Sequence, residues 1–307
     1  MTPLAAAAGG LADQLIGEPP LRWHPVACYG SLMQRVEERL YADRRANGIA
    51  FTVVGAGLGI SVGIVLRRTL GPTLATVVAT CVSAAGKMLD DEATTMAALL
   101  NAGDLPAARQ RVRSLVGRNT DHLDEHEISR AVIESVAENC VDAVTSSLFW
   151  AAVGGAPAVL AHRAVNTLDA MVGHHDERYE HFGWASARLD DVVNYLPARL
   201  TALAVALAKP SHAGAIVRVV RRDAADHPSP NGGVVEAAFA AALGVQLGGV
   251  NHYDGEIEDR GILGDGPPPT VATIASAVRL RRTATATTAA LLLAPAAIGQ
   301  LLRRRSR

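Results

Sequence analysis

A chain of 307 residues has room for one or two soluble domains, yet 49% of it is hydrophobic, 19% is charged and its mean hydropathy is +0.18. A formal net charge of -1 argues against a nucleic-acid binder held by bulk electrostatics, and an aromatic content of 4% argues against a large aromatic core. Cys28, Cys81 and Cys140 lie far apart without a CxxC pair, so neither a disulfide framework nor a zinc site is indicated.

The opening MTPLAAAAGG lacks a basic region and is soon followed by Asp13, which speaks against a cleaved signal peptide. The block DQLIGEPPLRWHPV then sets Asp13, Glu18 and His24 around a proline-rich loop. Ile49–Leu66 is an uncharged run between Arg44/Arg45 and Arg67/Arg68. Leu70–Gly86 follows after a tight RRTLGP link and ends at Lys87, so the two runs read as a helical hairpin. Each approaches the roughly 20 residues that a helix needs to cross a bilayer. Their many glycines and other small residues suit helix packing in lipid.

The region Lys87–Asp142 is polar. Asp104 and Pro106 mark the start of a helix. In EHEISRAVIESVAENCVDA, Ile128, Val132, Val136 and Cys140 form one apolar stripe, and Arg130, Glu134, Glu138 and Asp142 form a second on the opposite face. Three carboxylates spaced at i, i+4 and i+8 repel by roughly a few tenths of a kcal/mol per pair. A cation is therefore expected to face them, either arginine from another segment or Mg²⁺. A solvated face with one Arg130–Glu134 pair is the plainer account.

Ala143–Ala161 is a third apolar run, interrupted by Pro157. Beyond it, Arg163, Asn166 and either Asp169 or Ala170 share a helical face until VGHH ends that helix. Asp190, Asp191 and Asn194 fall at i, i+1 and i+4 on a helix end. That spacing suits a divalent ion, and equally an ordinary match to the helix dipole. The apolar Leu196–Ala208 is shorter; from Pro197 it extends about 20 Å at helical rise, a half-span or a span. HPSPNGG must turn, and the helix expected from Val234 would present N–H groups near Ser229, Asn231, Arg218, Arg221, Arg222 and His227. This is a phosphate seat or a plain capped start. No GxxxxGK[ST] loop is present. Thr283–Leu302 is the last apolar run, closed by Arg303–Arg305.

The expected fold is all-α: a polytopic membrane helical bundle with polar helical connecting regions, forming one membrane-embedded domain over residues 1–307. Its candidate spans are 49–66, 70–86, 143–161 and 283–302, with 196–208 as a half-span or span. Buried helices of an alanine-rich soluble protein are the competing account. Arginines flank both ends of the first and last runs, so the positive-inside count gives no orientation.

Four motifs now stand in order along the chain: DQLIGEPPLRWHPV; ESVAENCVDA with LFW and GGAP; RAVNTLDAMVGH with YEHFGW and ARLDDVVNYLPARLT; and HPSPNGGVVEAAFAAALGVQLGG. Together they resemble the adenosylcobinamide-phosphate synthases of cobalamin biosynthesis, over Asp13 to about Gly264. The chain departs from that pattern at Ala143, where glycine is expected, at Thr145–Ser147, and at His162, which replaces an aromatic residue. The resemblance implies a multi-pass protein of the cell membrane that joins the propionate carboxylate of adenosylcobyric acid to the amine of an aminoalkyl phosphate. The usual amine is (R)-1-aminopropan-2-ol O-phosphate, and ATP and Mg²⁺ are used. The implied partners are the corrinoid, the aminoalkyl phosphate, membrane lipid and other corrinoid-pathway proteins, with no nucleic acid.

A carboxylate is a poor electrophile, so the expected route is an acyl phosphate followed by amine attack. Phosphoryl transfer mainly demands positioning and charge neutralisation. On this reading Glu134, Glu138 and His227 are catalytic candidates, and Asp142, Asp190, Asp191 and Asn194 are metal-binding candidates. His24, Asn139, Arg163, Asn166, Asp169, Arg188, Arg199, Ser229 and Asn231 are substrate-binding candidates. Arginine's planar fork suits phosphate and carboxylate. The two acidic clusters can exchange roles, and His24 or His227 can take the ammonium proton. A Mg²⁺-dependent membrane transferase should carry two DxxxD motifs, which are not apparent. A transporter would hold ionisable groups inside its spans, whereas here they gather between the apolar runs. A non-catalytic scaffold of a corrinoid-processing complex would leave no motif.

Overall fold

The structure, a computed structural model, describes residues 2–19, 23–115, 119–174, 176–253 and 256–305; for 252–258 and 296–305 it describes the backbone only. The described chain is helical throughout except for one two-stranded antiparallel sheet. Three helical stretches are long and apolar enough to cross a membrane: Arg45–Asn101, Glu125–Val172 and Trp184–Ala208. The expected run 283–302 lies within a helix, Val271–Arg305, but extends beyond the described side chains. The chain divides into two compact units, one comprising 1–87, 142–197 and 289–307 and the other 88–141 and 198–288.

In the first unit, α1 (Thr2–Ile16), α2 (Pro25–Leu40), α3 (Arg45–Ser83) and most of α7 (Ser146–Val172) pack together. Helix α3 is interrupted at Gly71, which adopts φ 76° and ψ 164° before Pro72. Leu58 and Val62 from one side of this break line the same cavity as Val82 and Ser83 from the other, as a hairpin requires. Helix α7 is likewise interrupted at Gly155, just before Pro157. Close approach between α3 and α7 depends on glycine: a Cβ on Gly63 would fall 2.4 Å from Pro157 Cα, and one on Gly59 2.6 Å from the Leu160 carbonyl oxygen. Small residues at such contacts let backbones meet where no hydrophobic effect drives association in lipid.

The expected helix end at Asp190–Asn194 is not an end. Those residues lie inside α8, a continuous helix from Trp184 to Ala208 that also contains Pro197. A proline nitrogen cannot donate, so the carbonyl of Val193, four residues earlier, loses its helical partner. The Trp150 indole N–H donates to that carbonyl at 3.1 Å. The helix is continued by a tertiary substitute for its missing bond.

In the second unit a core of alanine, valine and leucine joins α4 (Gly86–Asn101, from Met88), α5 (Leu105–Val112), α6 (Glu125–Asn139), α9 (Ala213–Asp223), α10 (Gly232–Leu243) and the start of α11 (Val271–Arg305). Asp104 caps α5 through the Ala107 N–H, with Pro106 in the first turn. Helix α10 begins at Gly232, two residues earlier than expected, and is buried on nearly every face. It stops at Gly244, whose φ of 69° is the left-handed conformation that ends helices most readily in glycine.

The all-α expectation holds apart from one small sheet of β1 (Leu247–Tyr253) and β2 (Glu256–Leu263). These strands explain the acidic stripe of α6. Arg130 donates to the Gly248 carbonyl and, at 3.1 Å, to the Asn251 side chain, while the Gly248 N–H donates to Glu134 at 2.8 Å. The partner of this part of the stripe is strand backbone and the Asn251 amide.

Candidate active site

Polar residues from distant segments meet in the first unit. Asn194 is fully buried and accepts from Ser146 Oγ at 2.7 Å and from His162 Nε2 at 2.8 Å. Its own amide donates to Asp190 at 2.9 Å. Asn166 reaches the other Asp190 oxygen at 3.5 Å, and Arg163 donates to Asn166 at 3.2 Å. One hydrogen-bonded line thus runs from Ser146 and His162 through Asn194, Asp190 and Asn166 to Arg163. Asp169 lies near enough to Asp190 to act on it electrostatically, and Asp142 acts on Arg163 in the same way.

This line lies on the second and third of the helical stretches that hold membrane-length apolar segments. Apart from Ser146, its residues fall just outside the expected apolar runs 143–161 and 196–208. Asp142 sits on a six-residue π-helical turn, Cys140–Thr145, joining α6 to α7. Such wide turns recur at functional sites, because they re-aim side chains within a helix.

Near Arg163 stands a second group. His24 Nε2 lies 2.8 Å from a Glu18 carboxylate oxygen, and His24 Nδ1 accepts the Val26 N–H at 3.2 Å as the cap of α2. Burial holds the Glu18 carboxyl above its ordinary range; His24 and Arg163 work against that shift, and Asp13 adds to it. Asp13 is buried and accepts the Gly86 N–H at 3.0 Å. A cavity of about 290 Å³ adjoins the group, with Pro25, Val26, Tyr29, Ser83 and Arg163 among its lining residues. Tyr29 Oη, Ser83 Oγ and Arg163 Nε are buried without hydrogen-bond partners among the described residues.

Two candidates of this unit are placed elsewhere. Arg188 is largely exposed and lies 3.9 Å from Asp191, an i,i+3 surface pair. Asn194 has its oxygen engaged twice and its nitrogen once, so it organises the line and has no ready acceptor for a metal. Among the described residues no group of three or more His, Cys, Asp or Glu could hold a metal ion. Mg²⁺ is usually held by one or two carboxylates together with substrate phosphates. The carboxylates beside this line are Asp142, which acts on Arg163, and Asp190, which Asn194 and Asn166 hold.

The second unit holds the other candidates. His227 is buried, its Nε2 3.4 Å from Glu236 and its Nδ1 within reach of both the N–H and the carbonyl of Ser229, at 3.0 and 3.2 Å. Both ring nitrogens thus face groups of the same unit. Ser229 Oγ accepts the Gly232 N–H at 3.0 Å and the Asn231 N–H at 3.3 Å, so these donors are engaged within the turn. Arg199 clamps the turn through Asn231 at 2.6 Å and the Pro230 carbonyl at 3.0 Å. Asn139 donates back to Ser135 at 3.0 Å, and Glu138 is half-buried near it on α6.

Ser146 and His162 belong to no chemical motif in the sequence, although both fall where the chain departs from the resembled pattern. Glu18 and Asp13 stand in the proline-rich block with no role marked by spacing, and Glu236 is hidden in an alanine-rich run.

Three helical stretches of the described chain are long and apolar enough to cross a membrane, and a buried polar line joins two of them, as in a membrane protein. The match to known proteins is specific. The CobD/Cbib protein family matches residues 6–281, and the chain belongs to that family. It is 45% identical over 280 residues to the cobalamin biosynthesis protein CobD of Mycobacterium tuberculosis, covering 89% of each chain. The proteins of the same name from Chromobacterium violaceum and Geobacter metallireducens are 43% and 44% identical over 280 residues, covering 88% and 86% of this chain and 89% and 86% of theirs. These relatives support a role in cobalamin biosynthesis. No solved structure matches the chain.

Proposed function

We propose that the protein is a membrane ligase that joins the propionate carboxylate of adenosylcobyric acid to the amine of an aminoalkyl phosphate, with ATP as co-substrate, giving adenosylcobinamide phosphate. The observation that carries this reading is the buried line from His162 to Arg163 beside the Glu18–His24 pair, since an apolar helical body retains such groups only for a task. Ligation requires carboxylate activation, and Mg²⁺ bound through Asp142 or Asp190 would neutralise nucleotide phosphates. Arg163 is suited to hold a phosphate or carboxylate in its planar fork. Asn194 and Asn166 fix Asp190, and the surrounding apolar helices exclude water from an acyl phosphate, which would otherwise hydrolyse. His24, with Nε2 facing Glu18 beside Arg163, is the histidine candidate that stands in the same unit as the polar line.

The test is reconstitution of the purified chain in lipid nanodiscs with adenosylcobyric acid, ATP, Mg²⁺ and (R)-1-aminopropan-2-ol O-phosphate, with product identified by mass. Formation of the amide and matching ADP is expected. Corrinoid binding without turnover would instead favour the non-catalytic scaffold.

A further inference from the structure

The geometry points to Glu18 and His24 as the acid–base pair that deprotonates the amine nucleophile, with the neighbouring cavity between α2, α3 and α7 as the seat of its carbon chain. This inference rests on the ligase reading and deepens it. The pair is pre-aligned: Nδ1 of His24 is occupied by the Val26 N–H, so only Nε2 exchanges protons, and it lies 2.8 Å from Glu18. Both side chains are largely shielded, at 8% and 11% exposure, so their proton is kept from bulk water. The groups that act on Glu18 are His24, Arg163 from α7 and Asp13 from α1; Cys81 of α3 feels both Asp13 and Glu18, and Lys87 lies beside Gly17. A carboxylate set near a guanidinium that itself lines a mainly apolar cavity matches a short chain bearing ammonium at one end and phosphate at the other. Burial holds Glu18 above the ordinary carboxylate range, nearer the range useful for proton transfer.

The step balances. The ammonium passes one proton to the Glu18–His24 pair, and the freed nitrogen lone pair forms the C–N bond to the acyl phosphate. The C–O bond to phosphorus breaks with its electrons on the departing phosphate, which takes the second nitrogen proton.

The experiment compares two nucleophiles in the reconstituted full-length protein: the aminoalkyl phosphate, protonated at neutral pH, and hydroxylamine, which is uncharged there and needs no such base. Wild type should form both amide and hydroxamate. Glu18→Gln should lose amide formation by about 10²–10⁴-fold, the usual worth of a general base, while keeping hydroxamate formation near the wild-type rate. His24→Asn, which can still cap Val26, should show the same split, and raising the pH should restore amide formation in both variants. Equal loss of both products in these variants, or undiminished amide formation, would overturn the assignment. Absence of both products in wild type would instead sink the ligase reading itself.

Discussion

Replacing Asn194 by alanine tests whether the buried line is a structural unit. Asn194 makes three side-chain hydrogen bonds, to Ser146, His162 and Asp190, at 2.7, 2.8 and 2.9 Å. Hydrogen bonds between helices in lipid average about 0.6 kcal/mol and reach about 1.7, so losing three should cost about 2–5 kcal/mol. The upper half of that range is expected. His162 Nδ1 already lacks a partner among the described residues, and Asp190 would keep only its long contact with Asn166. Ser146→Ala removes one bond and should cost about 0.6–1.7 kcal/mol. Unfolding by dodecyl sulfate in mixed micelles, followed by tryptophan fluorescence, would measure both. Trp23, Trp150 and Trp184 all belong to the first unit, so the signal reports on the right region. A cost below about 1 kcal/mol for Asn194→Ala, or no coupling between Asn194 and His162 in a double-mutant cycle, would refute the reasoning.

In the second unit, Asp90 is buried and accepts from Arg281 at 2.7 and 2.6 Å and from Arg282 at 2.7 Å. Asp90→Ala should destabilise by about 3–5 kcal/mol, and Asp90→Leu with Arg281→Met should recover most of it, as measured by chemical denaturation. The His227–Glu236 pair should make stability fall with rising pH. Burial tends to lower the His227 pKa, but the hydrogen bond and charge of Glu236 leave it raised, and burial raises Glu236. Folded values above the unfolded ones, roughly 6.5 and 4.3, mean protons held on folding, so stability is complete below the unfolded values and declines as pH passes the folded ones. Denaturation midpoints should be higher at about pH 6 than at about pH 8.5, and Glu236→Gln should flatten the slope; a flat wild-type profile would contradict the pairing. Gly63→Ala puts a methyl group 2.4 Å from Pro157 Cα and should destabilise by about 1–3 kcal/mol through overpacking. A neutral effect on thermal unfolding would show that α3 and α7 do not pack as described.

The apolar runs between arginines carried the helical, membrane-length character of the fold, because length and charge exclusion are local properties. The link RRTLGP was legible for the same reason: glycine and proline act on their own backbone. The polar line was only partly legible. Arg163 and Asn166 share a helical face, and Asp190 and Asn194 share another, so each pair could be read separately. Their meeting is tertiary and has no periodic signature. The hairpin at 247–263 was missed although Asp254–Gly255, a strong turn dipeptide, lies between its strands in sequence; the glycines of LGGVN masked the strand pattern. The partner of Glu134 on α6 was not legible because sequence cannot distinguish a metal from a backbone N–H as the partner of a carboxylate, and Gly248 supplies the latter.

The interruptions of the long helices and the polar line belong to one design. A helix in lipid must satisfy its own backbone, and breaks are tolerated only where protein groups re-satisfy what is freed. Gly155 before Pro157, Pro197, and the π-helical turn at Cys140–Thr145 all fall on the two helical stretches that carry the line. At Pro197 the remedy is visible as the Trp150 indole on the Val193 carbonyl, one residue before Asn194. Trp150 in turn lies one helical turn beyond Ser146, which donates to Asn194. The residue that repairs the break and the residue that orients the site therefore lie on one helix, a turn apart. That places Asn194 by covalent geometry from two directions, and it accounts for a neutral amide at the centre: an amide can donate to Asp190 while accepting from two neighbours, a combination no carboxylate provides.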